Sequence, residues 1–240
     1  MASVVRPRFY LFFAIALSAF AVVGFARTYY LRFLSDLPPM TMLVHVHGAL
    51  FTIWMGLFIT QMKLVAAHRI DLHRRLGIAS ANFAVLLVIV GVLTVIAKTI
   101  TNHVSPTGLS PSQFSIVGFT TIGMFAILLA LGVAYRRRPA LHKRFMMLAM
   151  ITAMGPAGSR LLRLLHLSDY VNWLLPLFTV VFIGFCIAND WRREGRVHPV
   201  HALGGALMLA SGPLSLMVGR SEWYQPVGDG VARFALRLFG

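Results

Sequence analysis

Polar residues interrupt this chain in clusters, and between the clusters run seven apolar stretches at residues 9–30, 41–67, 76–98, 114–135, 145–165, 171–188 and 200–218. At 1.5 Å per residue, a helix of about 20 residues crosses a hydrocarbon core of about 30 Å. The pattern therefore predicts an all-α membrane protein: a bundle of seven transmembrane helices in one domain covering residues 1–240. Pro38-Pro39, the stretch from Pro106 to Pro111, Pro139 and Pro199 fall in or beside the connections, where proline is tolerated. Pro156, preceded by Gly155, falls inside the fifth stretch and predicts a kink. Pro176 begins the sixth. In residues 227–240, Val231, Phe234, Ala235 and Leu238 share a face with Arg233 and Arg237 beside it. That tail reads as a short amphipathic helix on the membrane surface.

Composition agrees with lipid as the solvent. Hydrophobic residues make up 58% of the 240 and charged residues 12%, about half the share in soluble domains. A net charge of +15 would suggest nucleic acid in a soluble protein. Here the basic residues sit between apolar runs with no stripe of interleaved aromatics, so no nucleic acid is expected. One side holds Arg6, Arg8, Lys63, Arg69, Arg74, Arg75, Arg136, Arg137, Arg138, Lys143, Arg144, Arg192, Arg193 and Arg196, fourteen of the 22 basic residues. The other eight are Arg27, Arg32, Lys98, Arg160, Arg163, Arg220, Arg233 and Arg237. The richer side should be cytoplasmic, which places the N-terminus in and the C-terminus out. Arg6 and Arg8 before an apolar run also resemble a signal peptide, with Ala19-Phe20-Ala21 as its small-residue site. The run continues to Ala26 and ends on Tyr29-Tyr30, which favours a retained helix. A single cysteine, Cys186, excludes an intrachain disulfide and the Cys-x-x-Cys-His attachment of c-type haem.

Candidate chemistry rests on histidine. No Asp or Glu lies in the middle of a predicted span, and Asp190 and Glu194 fall past the end of the sixth. Proton and cation relays place carboxylates at membrane depth, so a coupled transporter is disfavoured. In the second span His47, Trp54, Gln61 and His68 recur every seven residues and form one polar stripe. His45 and His47 cannot chelate one ion from a regular helix, and His47 is the one expected to face inward. It either hydrogen-bonds a neighbouring helix or touches a ligand. His73 (in Leu72-His73-Arg74-Arg75), His142 (in Leu141-His142-Lys143-Arg144) and His198 with His201 each stand where a span enters from the basic side. There they either snorkel towards lipid phosphate or stay neutral at a helix N-terminus as metal or haem ligands. On the other side Arg160, Arg163 and His166 end the fifth span. Arg160, with Arg27 and Lys98, is placed to meet an anion such as a haem propionate, a quinone carbonyl or a lipid headgroup.

The phrases Phe25-Ala26-Arg27-Thr28-Tyr29-Tyr30-Leu31, His45-Val46-His47-Gly48, Asp71-Leu72-His73-Arg74-Arg75-Leu76-Gly77, Leu141-His142-Lys143-Arg144-Phe145-Met146 and Gly195-Arg196-Val197-His198-Pro199, with Trp54 and Gln61, run in this order along nearly the whole chain. Together they resemble a family of small polytopic bacterial inner-membrane proteins, largely without assigned activity. The resemblance implies a multi-pass protein of the inner (cytoplasmic) membrane. A remoter likeness is to transmembrane cytochromes b, which would pair His73 with His142 around haem b on the cytoplasmic side and leave His47 on the outer side. The fourth span contains no histidine, so a partner for His47 would have to be His103 or His166.

The functional expectation is a haem- or metal-binding membrane protein in electron transfer or respiratory-complex assembly. Its cofactor residues would be His47, His73, His142 and Arg160, and its metal ligands His73, His142 and His201. Its partners would be membrane lipids and a respiratory-chain protein or quinone. The alternatives are a carrier for a small neutral or anionic solute, lined by the His47–Trp54–Gln61–His68 stripe, and a cofactor-free assembly or structural factor. No nucleophile or carboxylate pair supports an enzyme.

Overall fold

A computed structural model describes residues 8–101 and 107–240; Arg6, His103 and Pro106 lie outside the described residues. α1 (Arg8–Phe25) runs into a π-helical turn at Ala26–Tyr30, α2 covers Met42–Ala66, α3 Ile70–Lys98 and α4 Pro111–Ala134. The fifth span is split into α5 (Pro139–Thr152) and α6 (Gly155–Leu164), followed by α7 (Val171–Glu194), α8 (Pro199–Arg220) and α9 (Gln225–Phe239). No strand occurs among the described residues. With α5 and α6 taken together, seven of these stretches are long and apolar enough to cross a membrane. The architecture is that of a multi-pass integral membrane protein.

Proline and glycine place the breaks. Pro111, Pro139, Pro156 and Pro199 each open a helix in its first turn, where the missing N–H removes no helical bond. Pro156 cannot donate to the carbonyl of Thr152, and that is where α5 stops. On the basic side the helices overrun the apolar runs. α3 begins at Ile70 rather than at residue 76, α5 at Pro139 rather than 145, and α7 continues to Glu194 rather than ending at 188. Arg, Lys, Leu and Met are good helix formers, so nothing local ends a helix where its hydrophobicity ends.

α5 runs up the middle. It touches α1, α4, α7 and α8, and every side chain from 147 to 151 is buried. A helix covered on all faces belongs at the centre of a bundle, although the fifth span is the least apolar of the seven. Around it, Phe13 and Phe20 of α1 meet Phe182 and Phe178 of α7 edge to face. The outer surface carries exposed Phe12, Ile53, Ile78, Val85, Ile127 and Leu203, which lipid solvates. Tyr170, Trp173 and Trp223 are exposed at one end and Trp191 at the other, as in interfacial belts.

Below, the N-terminal face is the end at which α1 starts, and the opposite face is where α1 ends. α9 packs on α3 and α4 with Gly228 and Ala235 buried, while Phe234, Leu236 and Leu238 point outward. Phe234 and Leu238 therefore lie on the outward side of the face predicted for the tail.

Candidate functional site

Three histidines occupy the first turns of helices at the N-terminal face: His73 in α3, His142 in α5 and His201 in α8. The structure brings two of them together. The His73 and His142 rings lie 6.1 Å apart between centroids and nearly perpendicular, at 76°. His142 Nδ1–H donates to the Gly132 carbonyl at 2.7 Å, one of the last carbonyls of α4 with no helical partner of its own. That bond ties α5 to α4 and leaves His142 Nε2 as a lone pair.

Gln61 governs the other ring. With its amide oxygen accepting from the Gly77 N–H at 3.0 Å, its nitrogen donates to His73 Nδ1 at 2.5 Å and to the His73 carbonyl at 3.2 Å. The ring proton of His73 then sits on Nε2. With the amide reversed, its nitrogen reaches the Ser80 hydroxyl at 3.4 Å, but its oxygen then faces the His73 carbonyl and its nitrogen the Gly77 N–H, so the first orientation is the one its neighbours satisfy. The stripe of α2 thus ends on His73. His68 has left it: this residue is exposed, with φ 57°, and closes α2 as the Arg69 N–H donates to the Leu64 carbonyl at 2.8 Å.

His201 joins a different cluster. Arg144 is 0% exposed, and Asp190 and His201 are 1% exposed. Arg144 donates to Asp190 through Nε at 3.1 Å and Nη2 at 2.6 Å, and through Nη2 to Glu194 at 2.5 Å. His201 Nδ1–H donates to the second Asp190 oxygen at 2.7 Å. Beside it Asn189 donates to the Tyr10 hydroxyl at 3.3 Å, and Arg193 donates to Asn189 at 2.9 Å. One charged clamp so joins α1, α5, α7 and α8. The sequence reading missed it by ending the sixth span before Asp190. The signal was the i, i+4 spacing of Asp190 and Glu194, which puts both carboxylates on one helical face. His201 Nε2 is buried without a hydrogen-bond partner. Among the described residues no three His, Cys, Asp or Glu side chains form a group that would hold a metal ion, so His73, His142 and His201 do not assemble as a trio. His198 caps α8, its Nδ1 accepting from the Val200 N–H at 3.2 Å.

At the other end of the stripe, His47 packs on α3, where a Cβ at Gly91 would lie 3.5 Å from its Cε1. His45 is exposed beside Tyr29. His47 Nδ1 and, two turns on, Trp54 Nε1 are buried with no partner, and the Trp54 ring stands edge-on to Phe125. His166 is exposed, with φ 59°, and terminates α6. Arg160 lies at the opposite face from His73 and His142. Its guanidinium is 4.4 Å from the Phe25 ring centroid, and Nη1 donates to the Pro156 carbonyl at 2.9 Å. It sits within Coulomb range of Lys98, the last residue of α3. His73 and Lys98 lie about 37 Å apart along that helix. Arg160 cannot compensate a charge held between His73 and His142.

Comparison with protein-family models, curated proteins and solved structures finds no match to this chain. The likeness described above rests on its motifs alone.

Proposed function

We propose that the protein is a haem-binding membrane protein of the bacterial inner membrane, N-terminus in the cytoplasm, which passes electrons at its cytoplasmic face. The observation that carries this reading is the His73–His142 pair. The two rings stand 6.1 Å apart between centroids and nearly perpendicular, so both are near enough to hold one group between them. His142 further has the carbonyl partner on Nδ1 that orients a ligating imidazole. His73 would take part once its ring proton left Nε2, because the Gln61 amide donates to its Nδ1. Two protein donors alone would hold a free metal ion poorly. A porphyrin brings four nitrogens of its own, which favours haem b over a bare ion.

Bound there, such a haem would accept and release one electron at a time. The chain's own part is to hold the two rings nearly perpendicular, to set the His73 tautomer through Gln61 and to keep the Arg74 charge within Coulomb range of His73. The test is spectroscopic: purify the protein from haem-replete cells and record oxidised and dithionite-reduced spectra with a pyridine haemochrome assay. We expect sharp reduced α and β bands at about one haem per chain, abolished in His73→Ala and His142→Ala. A colourless wild-type protein would sink the reading.

The unpartnered His47 Nδ1 and Trp54 Nε1 favour a second reading, a carrier whose solute meets these atoms. It predicts solute flux into liposomes, lost in Gln61→Leu, from a protein that stays colourless.

A further inference from the structure

We propose that the opposite face carries a built site for a phosphate-class anion, between the π-helical turn after α1 and the last turns of α6. A cavity of about 170 Å³ lies there, lined by Gly24, Arg27, Thr28, Leu37, Arg160, Arg163 and Leu164. Three of these side chains are guanidinium cations, and a fourth cation, Lys98, lies within Coulomb range of Arg160 and Arg163. Among the described residues none of the four has a carboxylate within ion-pair distance. Like charges gathered at a membrane boundary repel strongly where water is scarce. An anion among them reverses the sign of that interaction.

The walls are arranged for such a guest. The π-helical turn Ala26–Tyr30 brings Arg27 and Thr28 to the cavity, and π-turns recur at functional sites. The Thr28 hydroxyl is buried there with no partner, a donor without an acceptor. Arg160 is held in place by Phe25 and the Pro156 carbonyl, which engage one ring face and one nitrogen and leave further N–H donors free. Arg32 donates to the carbonyls of Thr28 and Pro38, tying the segment that carries Leu37 across the cavity. Drug-sized ligands need about 300–1,000 Å³, so this volume suits a small anion or a headgroup. Arginine forks match phosphate oxygens two at a time, which favours phosphate. The phosphate can be free or can belong to an anionic lipid, because the rim residues Arg27 and Arg163 are exposed. The proposal stands independently of the histidine pair.

The test uses the full-length protein, delipidated in detergent. Binding is followed by thermal shift on adding inorganic phosphate, and by native mass spectrometry in nanodiscs of phosphatidylglycerol or phosphatidylcholine. We expect wild type to respond to phosphate, to phosphatidylglycerol, or to both, and not to phosphatidylcholine. Phosphatidylglycerol alone identifies a lipid headgroup; inorganic phosphate identifies a free anion. Each lost charge-assisted contact should weaken binding about tenfold or more in Arg160→Gln and Arg163→Gln. Arg160→Lys, which keeps the charge and loses the fork, should fall between, and Arg237→Gln on α9 should behave as wild type. Arg163 is exposed, so its variant carries the test even where Arg160→Gln misfolds. No response to either anion, or equal binding by Arg163→Gln and wild type, overturns the proposal.

Discussion

Arg144 shows at the scale of one residue how a charge is kept inside this bundle. It is fully buried and spends its donors on Asp190, Glu194 and the Ala140 carbonyl. Removing one partner of a buried pair strands the other charge, which costs about 3–5 kcal/mol, whereas replacing both partners by apolar groups can be nearly neutral. Arg144→Ala and Asp190→Ala should each lower the thermal midpoint sharply in detergent. The Arg144→Met/Asp190→Leu double variant should lose clearly less than the two single losses combined. Additive losses would show that the pair is not coupled. His201 belongs to the same unit, because Asp190 fixes its Nδ1–H and so aims Nε2 into the interior. By contrast His68, His166 and His198 end or begin helices, and their place in the chain is explained by backbone geometry without any ligand.

At the scale of the element, the broken fifth span separates two kinds of chemistry. α5 is central and carries His142 and Arg144 at the N-terminal face. α6, redirected after Gly155-Pro156, carries Arg160 and Arg163 to α1 at the opposite face. α1 and α6 cross where Gly24 meets the backbone of Ala157, and a Cβ at Gly24 would overlap that backbone. Small residues permit such close approach where apolar lipid supplies no squeeze of its own. Gly24→Leu should push the helices apart, cost about 1–3 kcal/mol as an overpacked contact and open the cation-lined cavity. A thermal midpoint equal to wild type would show that α6 can move aside freely. Glycine and proline made the break itself legible in sequence. The centrality of α5 was not, because its composition is the least apolar of the seven spans and its burial comes from four neighbours.

For the whole molecule, the open quantity is orientation. Fourteen of the 22 basic residues fall on the side of the N-terminus, and seven spans return the chain to the other side. Alkaline phosphatase fused after α9 should therefore be active, and a fluorescent protein fused there should be dark. The reverse pattern would invert the topology and move the histidine pair to the outer face. The overrun of α3, α5 and α7 beyond their apolar runs lengthens these helices at the N-terminal end, and His73, His142, Arg144, Asp190 and Glu194 all lie on the added turns.

What the sequence by itself determined is what depends on neighbours along the chain. The number and approximate place of the spans, the break at Pro156, the uneven distribution of basic residues and the polar stripe through His47, Trp54 and Gln61 are all of this kind, because crossing a bilayer is a matter of local composition and helical period. Only the tertiary structure decided which side chains meet across helices. His73 lies beside His142 while His201 turns to Asp190; Asp190 is buried against Arg144; Arg160 stands at the far end from the histidine pair. In lipid every helix is apolar over most of its circumference, so hydrophobic pattern says little about which face turns inward. That choice falls to small-residue contacts, hydrogen bonds and ion pairs between helices, which exist only once the bundle is assembled.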